Sequence, residues 1–204
     1  MVIRQGKTIQ ISINALDPRI DSHLERFNFA PRSSDSEQHN IYFVRPLPEA
    51  LPSPMLPKGY VIRPLQGKDE LQAYQALFGF STVDKQFEQV LLASDEYCHL
   101  VVVNPKGKLV SYCEFSICRQ EWTQSGQRIG WIDYIGTAPQ QQQRGLGRAI
   151  LLASLKQMQT WGADTVMLVT INVNKPAVAL YNSTGFVASD IQEPLWYTKQ
   201  VAIT

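Results

Sequence analysis

Two short runs carry the chemistry that can be read from this chain. The first is Gln142-Gln143-Arg144-Gly145-Leu146-Gly147. Glycines at 145 and 147 remove side chains where a ligand could approach the main chain closely. The run opens a predicted helix whose core face is Ile150, Leu151, Leu155 and Met158. The unpaired N–H groups of a helix N-terminus, aided by the helix dipole, make a site for an anion such as a pyrophosphate. A plain glycine loop would read the same. The second run is Asn174 to Phe186, with Pro176 where proline favours a first helical turn. Ala177 and Tyr181 stand four apart and share a face, so a ligand could reach the phenol past a small neighbour. Packing into the core is the commoner fate of a lone helical tyrosine.

Other chemistries fit poorly. A dinucleotide fingerprint requires a third small residue where this chain has Ile150, and Gly6-Lys7-Thr8 lacks the first glycine of a P-loop and precedes a strand. Cys98, Cys113 and Cys118 form no C-x-x-C pair, and His23, His39 and His99 are scattered, so no disulfide framework and no metal site is expected. The formal net charge of +1, without a basic run, argues against a nucleic-acid surface. No apolar run is long enough for a bilayer, and Met1 to Lys7 lacks the apolar core of a signal peptide. The chain therefore reads as soluble and cytoplasmic, with no membrane partner; a homodimer is left open.

The elements that must position the two runs follow from periodicity. Ile9, Ile11 and Ile13 alternate with polar residues, which predicts a strand, and Asp21 to Phe27 is weakly helical. Ile41-Tyr42-Phe43-Val44 reads as a strand, and Pro46, Pro48, Pro52, Pro54 and Pro57 stiffen the stretch after it. This divides the chain into an N-terminal extension (1–45), a Pro-rich linker (46–58) and a main domain (59–204). In the main domain, Tyr60–Arg63 is a strand and Asp69–Phe78 a helix, and a further helix starts near Ser81 or Thr82. Two strands, Leu100–Val103 and Leu109–Ile117, flank the turn Asn104-Pro105-Lys106-Gly107, and a polar loop over Thr123–Gln127 leads to a strand at Ile129–Thr137. After the glycine run come the helix to Trp161, the apolar strand Thr165–Ile171, the helix to Gly185, and closing strands at Phe186-Val187 and Trp196-Tyr197-Thr198. The pattern predicts an α/β (α+β) fold, a mixed and mostly antiparallel sheet with helices on both faces.

Taken together and in this order, Q/R-x-x-G-x-G/A followed by N-x-x-A-x-x-L-Y-x-x-x-G-F resembles the GNAT superfamily of acyl-CoA-dependent N-acyltransferases. The likeness extends over about Gly59 to Lys199. One departure is Gln143, where the family often has glycine, which implies a less open loop. Tyr42 to Leu47 and Leu56 to Tyr60 are similar to the junction of tandem GNAT proteins, so residues before the linker would be the remnant of a first repeat.

The resemblance implies an acetyl-CoA-dependent N-acetyltransferase acting on a primary amine of a small molecule or peptide, without a metal. A CoA-binding or interaction module without catalysis is the alternative. It places the CoA pyrophosphate on the backbone of Gln142, Gln143, Arg144, Gly145, Leu146, Gly147 and Arg148. The pantetheine arm would lie against Ile135, Gly136 and Thr137, between two splayed strands, and Asn174 would touch the cofactor. Tyr181 would protonate or hydrogen-bond the leaving thiolate. Alternation puts Trp131, Asp133, Ile135 and Thr137 on one strand face, which makes Asp133 the first candidate base, through a water, and Glu114 on the neighbouring strand the second.

Overall fold

The structure, a computed structural model, describes residues 2–5, 8–15, 30–31, 39–48, 50–67, 70–78, 94–191 and 195–202. The helices expected at Asp21–Phe27 and from Ser81 or Thr82 lie outside the described residues. Two compact units are present, one of residues 1–40 with 190–204 and one of residues 41–189.

The smaller unit is a four-stranded sheet. Strands β1 (Val2–Gln5), β2 (Thr8–Ala15), β3 (Ala30–Pro31) and β11 (Leu195–Ala202) take the order β1-β2-β11-β3, all antiparallel. The alternating isoleucines thus lie in β2, as the period predicts. The strand expected at Trp196–Thr198 pairs with β2 in full register, from Leu195 opposite Ala15 to Ala202 opposite Thr8.

The larger unit carries both chemical runs. Its chain order is β4 (Asn40–Pro46), β5 (Val61–Pro64), α1 (Leu71–Phe78), β6 (Tyr97–Val103), β7 (Leu109–Ile117), α2 (Arg119–Ser125), β8 (Ile129–Thr137), α3 (Leu146–Trp161), β9 (Thr165–Ile171), α4 (Lys175–Ser183) and β10 (Val187–Ala188). The seven strands lie in the order β10-β4-β9-β8-β7-β6-β5, antiparallel from β5 through β8 and parallel between β8 and β9. The strand read at Ile41–Val44 is β4, and Val44 and Phe43 pair with Val187 and Ala188. The Pro-rich stretch runs along α3: Gln159 Nε2 donates to Pro48 O at 2.7 Å and Lys156 Nζ to Ser53 Oγ at 3.3 Å.

Each face of this sheet has its own core. Phe115, Cys113 and Ile132 meet Ile150, Leu151, Leu155 and Met158 of α3 with Tyr181 of α4. On the opposite face Tyr74 of α1 packs with Val101 and Tyr112. The β6–β7 hairpin turns where expected, because Asn104 Oδ1 accepts from the N–H groups of Lys106 and Lys108 and Gly107 supplies φ 74°.

The polar loop expected before β8 is instead largely helical. Residues 119–125 form α2, which Gly126 ends at φ 72°. Its sequence shows no helical periodicity because the turn has only one strong anchor, Trp122, whose Nε1 donates to Ile129 O at 2.7 Å. No helix among the described residues is long and apolar enough to cross a membrane.

Candidate functional site

The centre of the larger sheet opens at β8. Parallel pairing with β9 spans only Ile129–Ile132 against Thr165–Leu168. Beyond those pairs Val169 and Ile171 of β9 are exposed, at 44% and 41%, although strongly apolar. The sheet is therefore split between Asp133–Thr137 and Val169–Ile171, and the apolar wall of the split is uncovered. Gly136 sits in this stretch for a steric reason: a Cβ there would lie 2.6 Å from the Tyr112 ring. Two carbonyls of the stretch are already engaged, Gly136 O by the Ser111 hydroxyl at 2.7 Å and Thr137 O by Gln142 Nε2 at 3.2 Å.

The first turn of α3 ends beside this split. The first intrahelical bond is donated by Ala149 N to Gly145 O at 2.9 Å, so the N–H groups of Leu146, Gly147 and Arg148 precede the ladder. A Cβ added at Gly147 would touch Leu180 of α4 at 3.6 Å and Thr137 Oγ1 of β8 at 3.7 Å, which locates this turn between the two elements. Gly145, the N-cap, has φ 76°, a left-handed conformation in which glycine carries no Cβ penalty. Leu146 is buried in the core, so only its backbone can face a ligand.

The two arginines at this turn make side-chain contacts of their own. Arg144 Nη1 reaches the Tyr60 hydroxyl at 3.4 Å, and that hydroxyl donates to Gln141 Oε1 at 2.8 Å. Arg148 Nη1 donates to Ser183 O at 2.7 Å, at the C-terminus of α4. Both arginines line an open cavity of about 500 Å³ together with Met55, Leu56 and Pro57.

Gln143 takes φ 60°, the one positive φ at a non-glycine position among the described residues. The loop is thus wound as a glycine would allow, with glutamine bearing a left-handed penalty of ~1–2 kcal/mol. Gln143→Gly relieves that penalty while loosening the unfolded chain, and should raise the thermal midpoint by about 2 °C. A differential scan of both proteins checks this; a lower midpoint would show that the Gln143 side chain stabilises the loop.

The faces of β8 depart from the expected alternation. Glu114 pairs with Tyr134 and the next residue, Phe115, with Ile132, so β8 holds one extra residue, Asp133, in a β-bulge. Strict alternation therefore fails. Ile135 pairs with Cys113 and packs on the α3 core, while Asp133 accepts from Ser116 Oγ at 2.9 Å on the Glu114 side. Asp133 and Ile135 do not share a face, because a bulge resets the period by one residue.

The bulge brings the two candidate carboxylates onto one face. Asp133 is exposed, and its carboxyl is raised above the usual range by partial burial, partly offset by the Ser116 hydrogen bond. Glu114 is only 5% exposed, and burial, with the nearby Asp133 charge, pushes it up to about 7. His99 is directly opposite Glu114 on β6, with Nδ1 3.7 Å from Glu114 Oε2 and 2.7 Å from the Tyr74 hydroxyl. His99 is buried, and only strand register puts it beside a carboxylate.

Tyr181 lies on the other side of the sheet, 5% exposed, with its ring 5.6 Å from Phe43 and 6.0 Å from Phe186. Burial pushes its phenol up to about 12, so it is a proton holder at neutral pH. Asn174 caps α4, accepting from Ala177 N at 3.3 Å through Oδ1.

Known proteins share this architecture. A mycothiol acetyltransferase of Pseudarthrobacter chlorophenolicus is 32% identical over 158 residues, covering 69% of this chain and 46% of its own. Its counterpart in Thermobispora bispora is 31% identical, covering 70% of this chain and 51% of its own. The chain thus spans about half the length of these curated relatives. Among solved structures, a GCN5-related N-acetyltransferase from Sphaerobacter thermophilus superposes with TM-score 0.64 at 20% identity, covering 96% of this chain and 60% of that one. A tandem GNAT protein from the clavulanic acid biosynthesis pathway gives TM-score 0.63 at 15% identity, covering 95% and 64%. The sequence model of the Acetyltransferase (GNAT) family matches residues 67–186, from the approach to α1 through Phe186 and across both chemical runs, and the chain belongs to that family.

Proposed function

We propose that this chain transfers an acetyl group from acetyl-CoA to a primary amine by direct attack. The observation that carries the reading is the split between β8 and β9 ending at an uncapped helical turn. An extended thiol arm fits the split, and a pyrophosphate fits the N–H groups of Leu146, Gly147 and Arg148. The mycothiol acetyltransferase likeness supports the same chemistry.

In this reading the amine nitrogen forms a bond to the thioester carbonyl carbon, and the C–S bond then breaks. A backbone N–H in Ile135–Thr137 polarises the carbonyl oxygen. The proton lost by the amine passes through water to Asp133 and Glu114. Two carboxylates on one face titrate as a pair, and the upper step near 7 suits a base working at neutral pH. Asp133, open to solvent, meets the acceptor; Glu114 behind it stores the proton. Tyr181 donates a hydrogen bond to the departing thiolate, whose reference pKa of about 8.5 lies below the about 12 of the buried phenol, and solvent supplies the proton of the released thiol.

Turnover of acetyl-CoA with a panel of primary amines tests the reading, and binding of acetyl-CoA with no turnover on any amine would favour a non-catalytic module. The same assay tests Tyr181. In Tyr181→Phe the packing against Phe43 and Phe186 survives, so kcat should fall by roughly 10²-fold with little change in acetyl-CoA Kd. Near-normal kcat in Tyr181→Phe, with a large loss only in Tyr181→Ala, would mean that the ring merely packs.

A further inference from the structure

The first turn of α3 has two flanks. Gly147 faces α4 and the end of β8, where a Cβ would meet Leu180 and Thr137 Oγ1. Gly145, Arg148 and Leu152 recur at helical spacing on the other flank and line the open cavity of about 500 Å³ beside Met55 and Leu56. A ligand that rests its pyrophosphate on the N–H groups of this turn can extend two ways. One arm enters the split between β8 and β9, and the other enters the cavity. The Pro-rich wall of that cavity is anchored: Leu56 packs against the α3 core, Tyr60 N donates to Pro57 O at 3.1 Å, and Lys156 Nζ of α3 reaches Ser53 Oγ at 3.3 Å. This wall precedes residue 67, where the match to the family begins, so it lies outside the shared pattern.

Three arginines gather on this side of the turn. Arg144 and Arg148 line the cavity, and each is steadied by a neutral group: Arg144 by the Tyr60 hydroxyl at 3.4 Å, Arg148 by Ser183 O at 2.7 Å. Arg45, at the end of β4, stands against Gly185, two residues past Ser183. It is only 7% exposed, and its Nη1 has no hydrogen-bond partner among the described residues. Burial, together with the Arg148 charge, lowers its pKa. The C-terminus of α4 favours a cation at this place but gives Nη1 no acceptor. Among the described residues none of the three arginines pairs with a carboxylate. A buried guanidinium beside a second one is costly until an anion offsets both charges.

We propose that this cavity receives the nucleotide end of CoA: Arg144 and Arg148 bind the phosphomonoester on its ribose, and Arg45 behind them supplies a buried charge that favours a dianion there. The inference rests on the reading of the α3 turn as the pyrophosphate site. A phosphomonoester carries about two negative charges near neutrality and offers three acceptor oxygens, which suits guanidinium groups that hold no acid of their own. The Pro-rich stretch supplies the apolar surface that a purine base requires. Met55 is 83% exposed there although apolar.

Calorimetry with CoA and with 3′-dephospho-CoA tests this without turnover. The parent should bind CoA at least about 10-fold more tightly than the dephospho form. Arg144 and Arg148 are exposed, so Arg144→Gln/Arg148→Gln keeps the fold and the backbone N–H groups of the turn. In that double variant the preference should shrink to about 2-fold or less, with dephospho-CoA bound as in the parent. Arg45→Met, similar in length and uncharged, should cut the preference by at least about 3-fold and leave dephospho-CoA binding in place. Equal binding of both forms by the parent, or a full preference in the double variant, would overturn the arginine site while the pyrophosphate reading stands. A full preference in Arg45→Met would overturn the part given to the buried charge. If neither form binds the parent, the pyrophosphate reading falls and this inference falls with it.

Discussion

Glu114→Gln is expected to lower kcat by about 10²–10⁴-fold and to erase the acid limb near pH 7 in kcat/KM. Removing one carboxylate leaves Asp133 alone, its carboxyl raised by partial burial but held back by the Ser116 hydrogen bond, with no second carboxylate to take the amine's proton onward. Stability should move the opposite way. The native protein binds the Glu114 proton more tightly than the unfolded chain, because burial raises that carboxyl from 4.5 to about 7. Its favourable contribution is complete below about pH 4.5 and is lost as pH rises through about 7. The neutral amide escapes this loss, so at pH 8 the variant should melt at the parent temperature or a few degrees above it. An inactive but more stable variant separates a functional carboxylate from a structural one. Normal kcat with an unchanged limb would remove Glu114 from the reaction.

Gly147→Val is expected to weaken acetyl-CoA binding by at least about 100-fold while the protein stays folded. A single Cβ at this position makes ordinary contacts, 3.6 Å to Leu180 and 3.7 Å to Thr137 Oγ1. The two further methyls of valine must then enter the gap between the first turn of α3 and the end of β8. That is where phosphate oxygens have to reach the helix N–H groups, and each charge-assisted hydrogen bond lost is worth ~1.5–3 kcal/mol. Gly147→Ala, which fits, should bind within a few-fold of the parent. Calorimetry on both variants, with a melting curve for each, checks the assignment. Unchanged affinity in Gly147→Val would place the phosphates elsewhere.

How much of this was legible in the sequence differs from feature to feature. The glycine run, Pro176 and the Ala177–Tyr181 spacing are local patterns, and local patterns report local backbone: the run does open α3, and Asn174 does cap α4. The winding at Gln143 was not legible, because glutamine gives no sign of a positive φ. Arg148 was legible as part of the run, but not that its guanidinium turns to Ser183 O, a contact 35 residues away in sequence, while its backbone N–H stays ahead of the helical ladder. The bulge at Asp133 was hidden as well. Period-two alternation assumes an uninterrupted ladder, and only the pairing of β8 with β7 reveals the extra residue.

The amino-acid order alone determined most strands and helices of the larger unit, though not α2, together with the run that leaves helical N–H groups open and the family, since helix starts, strand periods and turn residues are decided by neighbours a few positions apart. Tertiary structure alone decided which carboxylates meet, that His99 stands opposite Glu114 with Tyr74 above it, and that the last strand pairs with β2 near the start of the chain. Those contacts join residues 15 to nearly 200 positions apart. They depend on strand register and helix placement, which sum over the whole packed core and leave no local trace in the sequence.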